Sequence, residues 1–153
     1  PDGKILNTEH TWPQSRFTGR FPTELQKSDL HHLFPTDSEM NSHRSSLRFG
    51  EVKATTETLK CPIAKLGHSA LKGEIVFEPP HDHKGRAARA ILYFATRYQM
   101  KISDAEEATL KKWNHEYPVD ADEFKRNETI EQAQGDRNPF IDFPDLADQI
   151  QDF

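Results

Sequence analysis

The side chains in this sequence that most readily suggest chemistry are the adjacent pair Glu9-His10 and, further along, Asn41. An imidazole with an ordinary pKa of about 6.5 can take a proton from an attacking water molecule. A carboxylate and a neutral amide are hard oxygen ligands, and they suit a Mg²⁺ ion that keeps several waters better than Zn²⁺, which comes second. A base beside a divalent cation is the equipment that hydrolysis of a phosphodiester requires. We therefore predict His10 as the general base and Glu9 and Asn41 as metal ligands.

These residues must be held together by a strand, a second strand and a helix. The first strand is expected to end at His10, and residues 29–35 read as the second strand. Residues 36–39, Thr-Asp-Ser-Glu, form a capping box that predicts the start of a helix. In such an arrangement, a His at the end of the first strand can face an Asn in the first turns of the helix, across a gap of the size of a hydrated cation.

The rest of the chain predicts a mixed architecture in one domain, residues 1–153. Residues 51–80 contain alternating and β-branched stretches typical of strands and loops. Residues 87–98 carry apolar side chains at helical spacing. A second capping box begins at Ser103 and predicts a helix to about Tyr117, and Asp120 is expected to cap another that ends near Gly135. Residues 138–144 are predicted to be a loop before a short last helix. The predicted fold class is α+β.

Arginines are the candidates for contacts with phosphate, because a guanidinium binds phosphate in a bidentate manner. Arg44 and Arg48 follow the predicted helix that carries Asn41, and Arg86 and Arg89 lie on a polar stripe of the 87–98 helix. The alternative is that the stripe, which also includes Arg97, pairs with acidic helices nearer the C-terminus. For Arg97 we favour that alternative.

The charge of the chain is divided unequally along its length. Residues 1–73 contain ten Lys and Arg against eight Asp and Glu, residues 74–103 contain five against three, and residues 104–153 contain five against fourteen. The net charge of −5 is therefore concentrated in the last third. A nucleic acid would meet the mildly basic section that holds the proposed site if the fold places the two regions on different faces.

The sequence also limits several alternatives. Its longest apolar run, residues 90–95, is far too short to span a bilayer, so no membrane partner is expected. A single cysteine, Cys61, allows no intrachain disulfide within this sequence and is expected to be a buried hydrophobe. The chain begins at Pro1 rather than Met, which suggests that an upstream segment was cleaved or left out.

The histidines raise an alternative metal site. His31 and His32 lie in the predicted second strand, and His81 and His83 form a His-x-His pair that could bind a transition metal. Structural hydrogen bonds for the first pair and an exposed loop for the second are the favoured interpretations. A zinc-binding protein built on these residues remains a weaker hypothesis.

Several ordered blocks of the chain resemble the endonuclease I family of secreted bacterial nucleases, within the ββα-metal (His-Me finger) superfamily. The resemblance covers almost the whole sequence, through residues 9–13, 29–35, 39–44, 78–80, 85–89, 113, 117–119 and 134–140.

The resemblance implies a ββα-metal core with additional strands and several C-terminal helices. It also implies a secreted or periplasmic endonuclease that cuts DNA, and often RNA, with little sequence preference and leaves 5′-phosphates. Mg²⁺ would be the cofactor, with Mn²⁺ or Ca²⁺ as substitutes. Carried over to this sequence, the family pattern makes His10 the base and Glu9 and Asn41 the ligands. We expect the protein to be a monomer.

One feature of the family pattern cannot be aligned securely. Some members carry an arginine thought to steady the phosphate, in an insertion that is short here. Only Arg16 and Arg20 lie between the Glu9-His10 block and Asp29, and both remain candidates. A non-catalytic nucleic-acid-binding module on the same fold is the second hypothesis, against which the presence of Glu9, His10 and Asn41 argues.

Overall fold

The computed structural model describes residues 5–70 and 73–153, so Pro1 lies outside the described residues. The protein is a mixed α+β fold, as predicted. Its strands are β1 (Leu6–His10), β2 (Leu33–Asp37), β3 (Val52–Glu57), β4 (Lys65–Ser69) and β5 (Ile75–Glu78). Its helices are α1 (Thr23–Ser28), α2 (Ser38–Arg44), α3 (Lys84–Tyr98), α4 (Asp104–Glu116), α5 (Ala121–Gln134), α6 (Pro139–Asp142) and α7 (Leu146–Gln149).

The first two strands and α2 form the unit that carries the proposed site. β1 pairs with β2 in antiparallel register, with Glu9 opposite Phe34 and His10 opposite Leu33. Helix α2 begins directly after β2. The predicted order of strand, strand and helix is therefore confirmed, and His10 is indeed the last residue of its strand. The short helix α1, which lies between the two strands in the sequence, was not predicted.

The predicted start of the second strand was wrong. Asp29 does not begin a strand, because its side chain accepts a hydrogen bond from the His31 amide and caps a 3₁₀ turn over Leu30–His32. The strand starts only at Leu33. The predicted cap of α2 was also one residue early. Asp37, rather than Thr36, accepts hydrogen bonds from the backbone amides of Glu39 and Met40, because its short carboxylate reaches both unpaired donors.

The remaining strands form a three-stranded antiparallel sheet in the order β3-β4-β5. Helix α3 runs through the middle of the protein, and its buried face includes Ile91, Leu92 and Phe94. Phe94 stacks on Trp12, with ring centroids 5.5 Å apart, so the core packs directly against the end of β1. Trp12 is therefore a core residue, with only 2% of its surface exposed.

The helices of the second half agree with their sequence signals in most respects. Ser103 caps α4 and Asp120 caps α5, as predicted, and Gly135 ends α5 with a positive φ of 88°. Helix α3 begins at Lys84, three residues before the expected start at Ala87. The early start brings Gly85 so close to Tyr117 that an added Cβ would lie 2.4 Å from its carbonyl oxygen, which explains the glycine.

The C-terminal segment was predicted less well. Residues 139–142 form the short helix α6 instead of a loop, since the Asn138 side chain accepts a hydrogen bond from the Phe140 amide and caps it. Phe140 and Phe153 are buried. Phe143, by contrast, is 66% exposed. Within the described ranges, the protein has no helix with the length and apolar character that a membrane crossing requires.

Candidate active site

An open pocket of about 380 Å³ brings the three predicted site residues together. We call it the His10 pocket, and it is lined by Thr8, Glu9, His10, Pro13, Gln14, Ser15, Asn41, Arg44, Ser45 and Ser46. Its walls are the end of β1, the 3₁₀ turn after it and helix α2. Within a strand, the side chains of successive residues point to opposite faces. His10 is the last residue of β1, so the chain leaves the strand there, and the side chains of Glu9 and His10 both line the His10 pocket.

His10 is oriented by a backbone carbonyl. Its Nε2 lies 3.3 Å from the carbonyl oxygen of Lys27, which can only accept a hydrogen bond. The Nε2 atom must therefore carry the proton of the neutral ring, and the lone pair is left on Nδ1. Burial lowers the pKa of His10 below its ordinary value of 6.5, although the Lys27 carbonyl opposes this shift. The imidazole is thus neutral at pH 7 and has a basic nitrogen available.

Two further contacts fix the ring of His10. The Nε2 atom of Gln14 lies 3.4 Å from His10 Nδ1 and 3.3 Å from its Nε2. His32 packs edge-on against the ring, with centroids 5.4 Å apart. Neither Gln14 nor Lys27 was identified from the sequence. Gln14 stands four residues after His10 and was a detectable polar neighbour, but the contribution of Lys27 comes from its main chain and leaves no side-chain signal.

Glu9 is held by Arg44. The Glu9 carboxylate is 7% exposed, and its Oε1 lies 2.6 Å from Arg44 Nη1. This ion pair lacks hydrogen-bond geometry, so the buried Oε1 atom has no hydrogen bond. Burial raises the pKa of Glu9 to about 7, and the attraction of Arg44 only partly offsets that effect. The positive charge of Arg44 is therefore not enough to keep the Glu9 carboxylate fully ionised near pH 7.

Asn41 presents its amide from helix α2. Its Nδ2 donates hydrogen bonds to Asn7 Oδ1, at 2.8 Å, and to the Thr8 carbonyl, at 3.4 Å. These bonds occupy the nitrogen and fix the side chain against β1. The carbonyl oxygen of the same amide is the atom with ligand character.

The donor set of the His10 pocket fits a hard cation. Glu9 supplies a carboxylate, whose Oε1 faces Arg44, and Asn41 supplies a neutral amide oxygen. Two protein oxygens are typical of Mg²⁺, which keeps most of its waters. By contrast, residues 5–70 and 73–153 contain no cluster of three or more His, Cys, Asp or Glu side chains that could hold a metal ion.

The histidines of the zinc hypothesis have structural roles instead. His31 and His32 are both buried, and their Nε2 atoms bond to the carbonyl oxygens of Asp136 and Gln26. The favoured interpretation of this pair is therefore confirmed. His81 packs on Tyr117 and His83 on Phe34, both edge-on.

Arg89 is not placed to meet DNA, contrary to prediction, and Arg44 is almost wholly buried although it lines the His10 pocket. Arg44 is 3% exposed, and besides Glu9 its guanidinium donates to the backbone carbonyls of His10 and Thr11. Arg89 is 1% exposed and forms a bidentate pair with Glu123. The Arg89 guanidinium, buried and paired in this way, has no surface to offer a phosphate, so it holds the fold together.

Arg86, Arg97 and Arg20 lie outside the His10 pocket. Arg86 pairs with Asp120 at 2.6 Å. Arg97 pairs with Asp136 at 2.6 Å, which confirms its expected pairing with an acidic residue of the C-terminal third. Arg20 donates to Gln99 Oε1 at 2.9 Å.

Arg16 and Arg48 share one buried carboxylate near the His10 pocket. Glu106 of α4 accepts a hydrogen bond from Arg16 Nη2 at 3.3 Å and forms an ion pair with Arg48 Nε at 3.2 Å, and its own side chain is only 1% exposed. Arg16 directly follows Ser15 of the pocket wall and stacks over Trp12 at 4.4 Å. Burial raises the pKa of Glu106, and the two arginines oppose the shift. The sequence offered no sign of this role, since Glu106 reads as the last residue of a capping box.

Comparison with known proteins shows the family of this chain. The family model described as Endonuclease I matches residues 1–145. The chain therefore belongs to the endonuclease I family. Among its relatives in the family, it is 36% identical to an extracellular ribonuclease of Bacillus subtilis (strain 168), over 94% of this chain and 53% of the relative. It is 31% identical to a periplasmic deoxyribonuclease of Aeromonas hydrophila, over 76% of this chain and 48% of the relative.

A third member of the endonuclease I family, named Endonuclease-1, comes from Buchnera aphidicola and is 28% identical over 75% of this chain and 44% of the relative. The chain thus spans about half the length of the curated relatives it matches. Family membership is established for nearly the whole chain, and this confirms the resemblance drawn from the ordered sequence blocks.

Proposed function

We propose that the protein is a metal-dependent endonuclease that hydrolyses phosphodiester bonds of DNA and RNA with little sequence preference. The observation that carries the proposal is the position of His10 in one pocket with Glu9 and Asn41, its Nε2 against the Lys27 carbonyl. Membership of the endonuclease I family supports the reaction class. The relatives named as ribonuclease and as deoxyribonuclease support both substrates.

In the proposed reaction, His10 acts through Nδ1. A water molecule attacks phosphorus, a new P–O bond forms, and one proton of the water passes to Nδ1. The bond between phosphorus and the 3′ oxygen breaks, and that oxygen takes a proton from solvent. The products are a 5′-phosphate and a 3′-hydroxyl. The Lys27 carbonyl keeps the imidazole ring aimed during the proton transfer.

Glu9 and Asn41 are proposed to hold Mg²⁺, with Mn²⁺ or Ca²⁺ as substitutes, in a ββα-metal arrangement formed by β1, β2 and α2. When bound, such an ion would supply positive charge for the phosphoryl and leaving oxygens. Arg44 keeps Glu9 in place from the buried side. Arg16 and Arg48 are the proposed phosphate contacts, because both keep exposed guanidinium surface, share Glu106, and Arg16 adjoins Ser15 of the pocket. Contacts of this kind position a strand without reading bases.

The relatives also support the proposed location. Their names include extracellular and periplasmic, so we propose that the protein acts outside the cytoplasm. It is expected to act as a monomer.

The test is plasmid nicking by the purified chain with Mg²⁺, with EDTA and with the His10→Ala variant. We expect cleavage that requires the metal, and turnover reduced by about 10²-fold or more in His10→Ala, with DNA binding nearly unchanged. Surface His115→Ala is the matched control, since His115 pairs only with Asp148 on the exposed side of α4. Full turnover in His10→Ala would remove His10 as the base. A folded wild-type chain that binds nucleic acid but cuts neither DNA nor RNA with any of the three ions would favour the non-catalytic binding module.

A further inference from the structure

A second cavity, of about 430 Å³, lies on the other side of the residues that carry the proposed site. We call it the apolar pocket. It shares Glu9, Asn41 and Arg44 with the His10 pocket, so these three side chains form the wall between the two. The rest of its lining comes from β2, α2, β5, the loop between β3 and β4 and the segments that flank the sheet. Its main apolar residues are Phe34, Pro35, Met40, Phe49, Phe77 and Pro79.

The apolar pocket is concave and has a polar mouth. Asp37 and Lys60 lie at its edge, and Lys60 is 66% exposed. Lys60 pairs only loosely, at 3.9 Å from Asp37 and 3.5 Å from Glu39. Its volume lies in the range of small-molecule sites, which are mostly apolar with a few polar groups. A ligand of matching chemistry has flat apolar faces and a polar edge.

We propose that the apolar pocket receives one nucleobase of the substrate strand, the base next to the phosphate held at the His10 pocket. The inference rests on the proposed nuclease function. The wall that the two pockets share supports the inference. When a phosphate of the nucleic-acid strand meets Glu9 and Asn41 from the His10 pocket, the neighbouring base is within reach of the apolar pocket on the other side of that wall. The apolar faces of a base suit the aromatic and proline lining, as in other proteins that bind single strands.

The proposal specifies a class of substrate. A base can enter the pocket only when it is unstacked and unpaired, so single-stranded DNA and RNA, and unpaired sites in duplexes, are the preferred substrates. Every base has an apolar face, and apolar contacts do not distinguish base edges. The pocket therefore adds affinity without sequence preference. Lys60 at the mouth is placed to meet the backbone of the entering strand.

The test uses single-stranded oligonucleotides in which one phosphodiester can be cut and the other linkages are methylphosphonates. The nucleotide on either side of the cleavable bond is made abasic in turn. The Cys61→Phe variant fills the pocket, because the half-buried Cys61 lines it. Ile63→Phe is the matched control, since Ile63 is 64% exposed and does not line the pocket.

We expect one of the two abasic substitutions to lower kcat/KM of the wild type and of Ile63→Phe by about 10-fold. Cys61→Phe should already be about 10-fold less active on the complete oligonucleotide and should lose nothing further on the abasic one. Equal activity on complete and abasic substrates in the wild type would overturn the proposal. So would an undiminished abasic effect in Cys61→Phe. If Cys61→Phe does not fold, Cys61→Met provides a smaller filling with the same expectations.

A second measurement separates this proposal from the nuclease function. Methyl groups of Met40 and Ala64 line the pocket, and their NMR signals should shift on titration with deoxyadenosine monophosphate in EDTA. The shifts should disappear in Cys61→Phe. If the chain cuts nucleic acid but these NMR signals do not shift, the proposed binding of a base in the apolar pocket is wrong and the nuclease function stands. Shifts in a chain that cuts nothing would support the pocket while the nuclease proposal fails.

Discussion

Arg44 Nη1 lies 2.6 Å from Glu9 Oε1, and both side chains are almost excluded from solvent. Burial outweighs the attraction between them, since it raises the pKa of Glu9 to about 7 and lowers the pKa of Arg44. The pair therefore leaves Glu9 only partly ionised near neutral pH. A metal ion at the Glu9 carboxylate would supply the positive charge that Arg44 alone does not.

The stabilising effect of Mg²⁺ should therefore depend on pH. The folded-state pKa of Glu9 is raised from 4.5, so its contribution to folding is full below the unfolded value and is lost as the pH rises through about 7. Mg²⁺ requires the ionised form and offsets this loss. We expect the difference in Tm between Mg²⁺ and EDTA to increase from about pH 6 to about pH 8. In Glu9→Gln the difference should be small and flat, and a pH-independent effect in the wild type would contradict the role of Glu9.

Glu106 should act on turnover through Arg16 and Arg48. The Glu106→Gln variant keeps the shape of the side chain but removes the negative charge that holds the guanidinium groups of Arg16 and Arg48. We therefore expect kcat to fall by about 10-fold. KM should not rise, because the variant gains a unit of positive charge. Glu74→Gln gains the same charge, yet removes only a half-exposed partner of Arg48 at 3.4 Å, and its kcat should match the wild type. Identical steady-state kinetics of the two variants would refute the positioning role.

The stability of the protein should decline in mild acid because of His32. This residue is fully buried and its pKa is lowered to about 4, mainly by desolvation. Its contribution to stability is therefore present above the unfolded pKa of 6.5 and is lost as the pH falls toward 4. We expect the free energy of unfolding in urea to drop by about 2 kcal/mol between about pH 7 and about pH 5 from this group. The drop should be correspondingly smaller in His32→Gln, and an equally steep decline there would assign it to other groups.

Two arginines of α3 should differ sharply in their effect on stability. Arg89→Met leaves the buried Glu123 carboxylate without its partner and should cost about 3–5 kcal/mol. Arg86→Met removes a partly exposed pair with Asp120 and should cost about 1 kcal/mol or less. Urea denaturation measures both. Similar losses in the two variants would mean that Glu123 is stabilised by something other than Arg89.

Local signals in the sequence predicted the helices well. Ser103 and Asp120 each cap a helix through their own side chains, and that interaction depends only on residues within three positions. The failures occurred where several local options competed. Asp29 could begin a strand or cap a turn, and the turn prevails because its second oxygen is occupied by Tyr93 and Tyr98 of α3, distant in sequence.

The sequence by itself determined the family, since ordered motifs can be recognised without knowledge of the fold. It also predicted Glu9, His10 and Asn41 as the site, and the fold brings these three residues to one pocket. Only the tertiary structure decided which arginines are buried in ion pairs and which remain exposed. Whether a guanidinium is buried against a carboxylate or open to a phosphate depends on partners far along the chain, such as Glu106 for Arg16. A charged group that packing removes from water needs a partner of opposite charge, and the sequence alone does not show how the chain packs.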